Sequence, residues 1–244
     1  MVRIGGRAAT ILGALCAALL LAAPPAAETK PTIGERPEGS YSASFSPRAL
    51  STTERVPVTV RTAVRFWEED GSQVPALKEL RLRFDRALRL GLKEVPACSL
   101  AGRGRPEPER TCRDALVAQG RMKVDTRFPD RAPVVITAKA TLYKTAVNKE
   151  GPRLLLYSKL TAPVASEIVT PVEVERGGGR YGLEMIADPP KIAGGAGSIT
   201  HLGLRFRHGM FDATCPRSGS LFAGFTARFV EGTGLSGAAS RFCR

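Results

Sequence analysis

The amino-acid sequence predicts an all-β protein, an antiparallel β-sandwich with a jelly-roll as the alternative arrangement. Apolar and polar residues alternate in nearly every apolar run, turn-forming residues separate these runs, and few segments have helical periodicity. About eleven short strands are expected. One short helix is expected near residues 112–119, with Thr111 as its N-cap.

The clearest alternation lies in two consecutive runs. In residues 58–66, apolar and basic side chains take opposite faces, and in 79–84 (ELRLRF) the leucines point inward and the arginines outward. Residues 77–92 also fit a helix face, but two strands, 79–85 and 88–92, bury nearly all of their leucines. The alternative for this segment is a basic amphipathic helix on a membrane surface.

Later strands are expected wherever alternating runs are bounded by glycine or proline. The later expected ranges are 121–126, 134–144, 153–161, 164–175, 180–186, 199–207, 220–230 and 235–242.

Residues 1–27 have the layout of a secretory signal peptide. Arg3 and Arg7 precede an unbroken apolar run, 8–23, and a small-residue tail ends at Ala27. The run is shorter than the roughly 20 residues that a membrane-spanning helix needs, so cleavage near Ala27 is expected, with a retained anchor as the alternative. A lipoprotein site at Cys16 is disfavoured because a bulky leucine precedes it.

Export divides the chain into three parts. Residues 1–27 form the signal peptide, 28–39 form a disordered leader, and 40–244 form a single β-sandwich domain with no transmembrane segment. Loss of the signal peptide, which carries two arginines and no acid, lowers the formal net charge from +13 to +11. The predicted location is outside the cell or at the cell envelope.

Four cysteines remain after export. An even number in an oxidising compartment indicates disulfides. Three pairings are possible, and the local one, Cys98 with Cys112 and Cys215 with Cys243, is favoured because it closes short loops. Their spacing fits neither a zinc ribbon nor a CxxC redox motif.

Several short segments, taken in order, resemble a group of uncharacterised secreted β-rich proteins of high-GC bacteria. The resemblance implies export and a β-rich fold, and it carries over no functional residue. The matching segments are 43–47 (ASFSP), 80–85 (LRLRFD), 96–98 (PAC), 112–115 (CRDA), 215–222 (CPRSGSLF) and 242–243 (FC).

No catalytic, cofactor or metal residue is predicted. His201 and His208 are seven residues apart, so one straight strand would point them to opposite faces. The serines of RSGS (217–220) do not form a nucleophile elbow, and the glycine-rich stretches lack the Lys-Ser/Thr of a phosphate loop. Glu68 and Glu69 lie beside a turn, where charged side chains are common.

One basic and aromatic group remains as a candidate site. Arg61, Arg65, Trp67, Arg81 and Arg83 lie on the predicted outward faces of two consecutive strands. If those strands pair, the arginines would contact an anionic cell-envelope polymer and the tryptophan would stack on it, without specificity for nucleic acid. The ordinary interpretation is a solvated sheet face, which Glu79 and Asp85 would also occupy.

Two functions follow as hypotheses. The first is a secreted or envelope-associated, non-catalytic binding or structural module that contacts anionic polymers. The alternative is an exported carbohydrate-active hydrolase or lyase whose carboxylates converge from different strands, because such convergence leaves no local sequence motif.

Overall fold

The computed structural model describes residues 37–98, 108–145, 153–161 and 165–243. The predicted signal peptide and most of the predicted leader lie outside these residues. In this part of the chain thirteen strands form, two more than expected: β1 (Glu38–Ser46), β2 (Val56–Trp67), β3 (Leu77–Asp85), β4 (Leu88–Leu90), β5 (Leu116–Thr126), β6 (Val134–Lys144), β7 (Arg153–Leu160), β8 (Ser166–Glu175), β9 (Tyr181–Ala187), β10 (Gly197–Phe206), β11 (Phe211–Ala213), β12 (Ser220–Phe229) and β13 (Gly234–Phe242).

All named strand pairs are antiparallel, which confirms the all-β prediction. The strands form one continuous path in the order β13-β12-β3-β9-β8-β7-β6-β5-β10-β2-β11-β4, with β1 also paired to β2. β1 lies alongside β13 without a hydrogen-bonded ladder between them. The sheet therefore curves until its two ends approach each other.

The main core lies on the inner face of this curved sheet, because alternate residues of each strand point there. Leu80, Leu82 and Phe84 of β3 are buried as predicted, and so are Leu202, Leu204 and Phe206 of β10. Phe84, Phe206 and Phe211 form an aromatic cluster with ring centroids 5.0–5.8 Å apart. Such aromatic contacts add to the stabilisation from burial.

The helix expected at 112–119 is wrong in extent. One α-helical turn, α1, spans Pro108–Thr111, and a 3-10 turn, η1, spans Arg113–Ala115. Thr111 is therefore the last residue of α1 and not an N-cap. Strand β5 begins at Leu116 because its backbone pairs with β6 on one side and β10 on the other. These tertiary hydrogen bonds override the local helical preference.

A second, smaller core lies where α1 and η1 cover the outer face of β6 and β7. Tyr143 and Tyr157 pack there against Ala115 and the Cys98–Cys112 pair. The predicted disordered leader is also too long by two residues, since β1 begins at Glu38 and pairs with the end of β2.

Both favoured disulfides are present. Cys98 and Cys112 have Cα atoms 5.2 Å apart, and those of Cys215 and Cys243 are 5.6 Å apart. Two disulfides are typical of a protein that folds in an oxidising, extracytoplasmic environment. Among the described residues, no helix is long and apolar enough to span a membrane.

Candidate functional site

The outer face of β2, β10 and β5 carries a set of basic side chains that three strands bring together. Arg65 lies opposite His201, which lies opposite Lys123, and four residues further along, Arg61 lies opposite Arg205. Arg121 follows on β5 between these two rows. We call Arg61, Arg65, Arg121, Lys123 and Arg205 the basic face.

A shallow trough of small residues separates the two rows of the basic face. Ala63 lies opposite Gly203 in the row between them. The two rows of cations are four residues apart on each strand, which is about 13 Å. A Cβ atom at Gly203 would lie 3.1 Å from Nε2 of His201, so glycine leaves room for the imidazole ring. On β2 and β10 the middle row therefore consists of small residues and the edge of the imidazole ring, with cations on both sides.

At one end of the basic face lies a cleft of about 520 Å³. Arg65, Lys123, His201 and Trp67 line it, together with Ser40, Phe66 and Thr200. Trp67 is 41% exposed, and its indole N–H donates a 2.7 Å hydrogen bond to Oε2 of Glu38. This bond fixes the position of the ring at the rim of the cleft.

His201 is the titratable group at the centre of this cleft. Burial lowers the pKa of His201, and the charges of Arg65 and Lys123 lower it further. Its Nδ1 atom is buried and has no hydrogen-bond partner in the described structure. Burial and both neighbouring cations therefore favour the neutral form of the imidazole.

The charges of the basic face are not compensated by acidic neighbours. Among the described residues, none of its five members forms an ion pair, whereas nearby Lys139 pairs with Glu109 of α1 at 3.1 Å. Like charges directly opposite on neighbouring strands destabilise a sheet, and Arg61 and Arg205 are such a pair. An anion bound between them would relieve this repulsion.

The structure brings together only part of the predicted arginine site. The condition for that site, pairing of its two strands, is not met, because β3 pairs with β12 and β9 and lies far from β2 in the sheet. Arg61, Arg65 and Trp67 lie on β2 with exposed side chains. Arg81 and Arg83 lie on β3, away from them.

Arg81 and Arg83 are half-buried rather than exposed, because each has partners on its own side of the sheet. Arg81 Nε lies 2.7 Å from Glu79 Oε1, and its Nη1 lies 3.7 Å from Glu184 Oε2. The Arg83 guanidinium lies 4.8 Å from the centre of the Tyr181 ring. These contacts engage both guanidinium groups within the fold.

The residues that sequence reasoning missed come from β10 and β5. Alternation along 199–207 puts His201 and Arg205 on one face of their strand, and in the structure they lie on one face. Nothing local in the sequence shows that this strand lies between β2 and β5, because the three segments are far apart along the chain.

The second histidine lies outside the basic face. His208 lies beyond the end of β10 and contacts Thr59, with 3.4 Å between Nδ1 and Oγ1. In the ranges that the structure describes, no three His, Cys, Asp or Glu side chains converge in a way that could hold a metal ion.

The most deeply buried carboxylate has a structural role. Burial raises the pKa of Asp85, although its oxygens accept hydrogen bonds from the backbone N–H groups of Ala87 (2.8 Å) and Phe222 (3.3 Å). These bonds join the turn after β3 to β12. Two facing carboxylates in a cavity would favour a glycosidase, and the described lining of a cavity of about 1000 Å³ includes one carboxylate, Glu175.

Comparison of the chain with known proteins assigns it to no family. No family model matches the chain, and no curated protein or solved structure matches it at a significant level.

Proposed function

We propose that this protein is an exported, non-catalytic binding module and that its basic face binds an anionic polymer of the cell envelope. The observation that carries the proposal is the uncompensated charge of β2, β10 and β5. Arg61 directly opposes Arg205, and Arg65 and Lys123 flank His201 and lower its pKa. A counter-anion is what this arrangement lacks.

The trough gives such a polymer a path across the strands. A chain lying over Ala63 and the imidazole ring beside Gly203 would have cations on both sides, and Arg121 at the β5 end. Arginine suits this role because its planar guanidinium binds phosphate or carboxylate through two parallel hydrogen bonds. The exposed ring of Trp67 offers a stacking surface for a sugar or another ring at the cleft.

The charge also sets the expected selectivity. Recognition by several exposed cations depends on charge density and weakens as salt rises. The proposed partner is therefore defined by its repeated anionic groups, and no specific nucleic-acid sequence is expected. Export through the N-terminal segment belongs to the same proposal, which two disulfides support by indicating an oxidising compartment.

The test replaces the basic face with neutral side chains of similar length. The variant Arg61→Gln/Arg65→Gln/Arg121→Gln/Arg205→Gln removes four positive charges. The matched control, Arg48→Gln/Arg113→Gln/Arg131→Gln/Arg241→Gln, removes the same charge from exposed residues elsewhere. Both should keep the fold, since surface substitutions usually change stability by less than about 0.5 kcal/mol.

Binding is measured with fluorescently labelled polyphosphate and polygalacturonate over a range of sodium chloride concentrations. We expect the basic-face variant to bind both at least about tenfold more weakly at low salt, and its log–log salt dependence to be shallower by about 3. The control variant should bind both polymers nearly as tightly as wild type, with only the small loss that a lower net charge causes. If the two variants lose affinity equally, net charge drives binding and the basic face is not the site.

Binding to the natural material is checked by cosedimentation with isolated cell envelope at low salt. Wild type and the control variant should sediment, and the basic-face variant should remain in the supernatant. Equal sedimentation of all three proteins would contradict the proposed function.

A further inference from the structure

A second cavity shares no lining residue with the basic face or its cleft. Its volume is about 1000 Å³, and its lining comes from the turn after β3, from β4, and from the facing ends of β8, β9 and β6. β4 lies beside β9 but pairs only with β11, so no ladder closes the space between β4 and β9.

The floor of this cavity is aliphatic. It consists of Leu88, Leu90, Leu92, Val174 and Leu183. Leu88 and Leu92 are buried, while Leu90, Val174 and Leu183 are half-buried and pack against the main core. Partly exposed aliphatic side chains around a concave surface are typical of a site for an apolar ligand.

The other side chains of the lining are almost all cationic. Arg86, Arg89, Lys93 and Arg176 are exposed there, and Glu175 is the one acidic residue of the described lining. None of these four cations forms an ion pair with a described acidic residue. The aliphatic floor suits an apolar chain, and the basic rim suits a negatively charged headgroup on the same molecule.

A buried lysine adds a polar group inside the cavity. Lys144 is 9% exposed, and its ammonium group donates to the backbone oxygens of Leu92 (2.8 Å) and Val95 (2.6 Å). An ammonium group has three donors, so one is left for a ligand. Lys144 has no acidic partner among the described residues, and a charge buried without a counter-ion is costly. An anion in the cavity would compensate it.

We propose that this cavity binds a single-chain anionic phospholipid. Its acyl chain would lie over the aliphatic floor, and its phosphate would lie among the arginines of the rim. Phosphate is the headgroup that the residues favour, because three of the five cations are arginine, whose guanidinium pairs with phosphate in bidentate fashion. This site is separate from the basic face and does not depend on the polymer proposal.

The test is isothermal titration of the full mature chain with lysophosphatidate carrying different acyl chains, below their micelle concentrations. Each added methylene should tighten binding about fourfold until the cavity is filled. Palmitoyl lysophosphatidylcholine, with the same tail and a zwitterionic head, should bind at least about tenfold more weakly, and so should palmitate and glycerol phosphate.

Two pairs of variants separate the roles of rim and floor. Arg89→Gln/Arg176→Gln should weaken lysophosphatidate binding at least about tenfold, while the control Arg48→Gln/Arg113→Gln should leave it unchanged. Leu90→Asp should abolish binding, whereas the volume-conserving Leu90→Met should keep it. Thermal unfolding of each variant shows that the fold persists, and the half-buried position of Leu90 favours this.

Each outcome decides the proposal. Glycerol phosphate binding as tightly as the acylated compound would show that the floor takes no chain, and equal affinity for lysophosphatidylcholine would show that the rim does not select charge. If palmitate bound as tightly as lysophosphatidate, the rim would accept a carboxylate as well as a phosphate, and the phospholipid assignment would be wrong. The basic-face variant should bind lysophosphatidate as wild type does, so failure of one proposed site leaves the other intact.

Discussion

Removing the Cys215–Cys243 disulfide should selectively loosen the last hairpin of the sheet. This bridge closes a loop with a sequence separation of 28 and lies at the end of the sheet, where the one hydrogen-bonded ladder of β13 is with β12. Both sulfur atoms lie in buried residues. Next to the bridge, Cys215 N–H donates to Ser51 O (2.7 Å) and Leu50 N–H donates to Cys243 O (3.0 Å). The disulfide therefore also fastens the hairpin to the segment between β1 and β2.

The expected size of the effect follows from the loop length. Cross-linking a loop of about 28 residues removes unfolded-state entropy equivalent to about 3.6 kcal/mol at 25 °C. The double variant Cys215→Ala/Cys243→Ala should lose about this much free energy of unfolding. Burial in β13 offers little compensation, because most of its residues are exposed. A loss of this size is a large fraction of the stability of an ordinary domain.

Urea unfolding followed by far-ultraviolet circular dichroism measures the global loss, and hydrogen exchange measures the local one. Amides of β12 and β13 should exchange faster in the variant, while those of β5 and β6 change less. The matched control is Cys98→Ala/Cys112→Ala, which removes a shorter loop and should leave β13 protected. A stability loss below about 1 kcal/mol, with β13 still protected, would show that backbone bonds and packing hold the hairpin and would refute the reasoning.

Three further predictions concern the core, the strand contacts and the histidine. Phe211→Ala should lower the free energy of unfolding by about 3–5 kcal/mol, because the ring is fully buried among other aromatic rings; urea unfolding measures this, and a loss under about 1 kcal/mol would contradict it. Gly120→Ala should cost at least about 2 kcal/mol and disturb the pairing of β5 with β10, since the added Cβ would overlap the carbonyl of Gly203; hydrogen exchange in both strands checks this, and unchanged protection would count against it. The pKa of His201 is lower in the folded protein than in the unfolded chain, so the unfolded chain binds a proton more readily. The neutral His201 therefore stabilises the folded protein above about pH 6.5, and this stabilisation is lost as the pH falls from there toward the pKa in the folded state. His201→Gln should therefore lose less stability than wild type between pH 7.5 and pH 5.5 in urea titrations; an identical pH dependence would exclude this role.

Alternation predicted the strands well because it reports which side of a strand meets the core. Leu202 and Leu204 are buried and Arg205 is exposed, as the period of two requires. The same reasoning misjudged Arg81, which is half-buried, because an outward side chain can still be covered by neighbours such as Glu79 and Glu184. A pattern of alternation gives the face of a residue, and the neighbouring strands give its environment.

The separation of the predicted arginine group onto two unpaired strands shows a second limit of local reasoning. Sequential strands are often neighbours in a sheet, and β2 and β3 are joined by a connection of nine residues. Here β2 instead pairs with β1, β10 and β11, while β3 pairs with β12 and β9. Both choices bury the same leucines and valines, so hydrophobic patterning within each strand does not distinguish between them.

The sequence by itself determined the all-β class, most strand positions, the faces of those strands and the two disulfides, because each depends on residue type and short spacing along the chain. Only the tertiary structure decided which strands are neighbours, and therefore which cations meet. Arg61 meets Arg205 across more than half of the chain length, and Lys144 reaches the backbone oxygen of Leu92 from another strand. Such contacts arise from long-range pairing of backbone hydrogen-bond donors and acceptors, which are the same in every residue except proline and thus leave no trace in the local sequence.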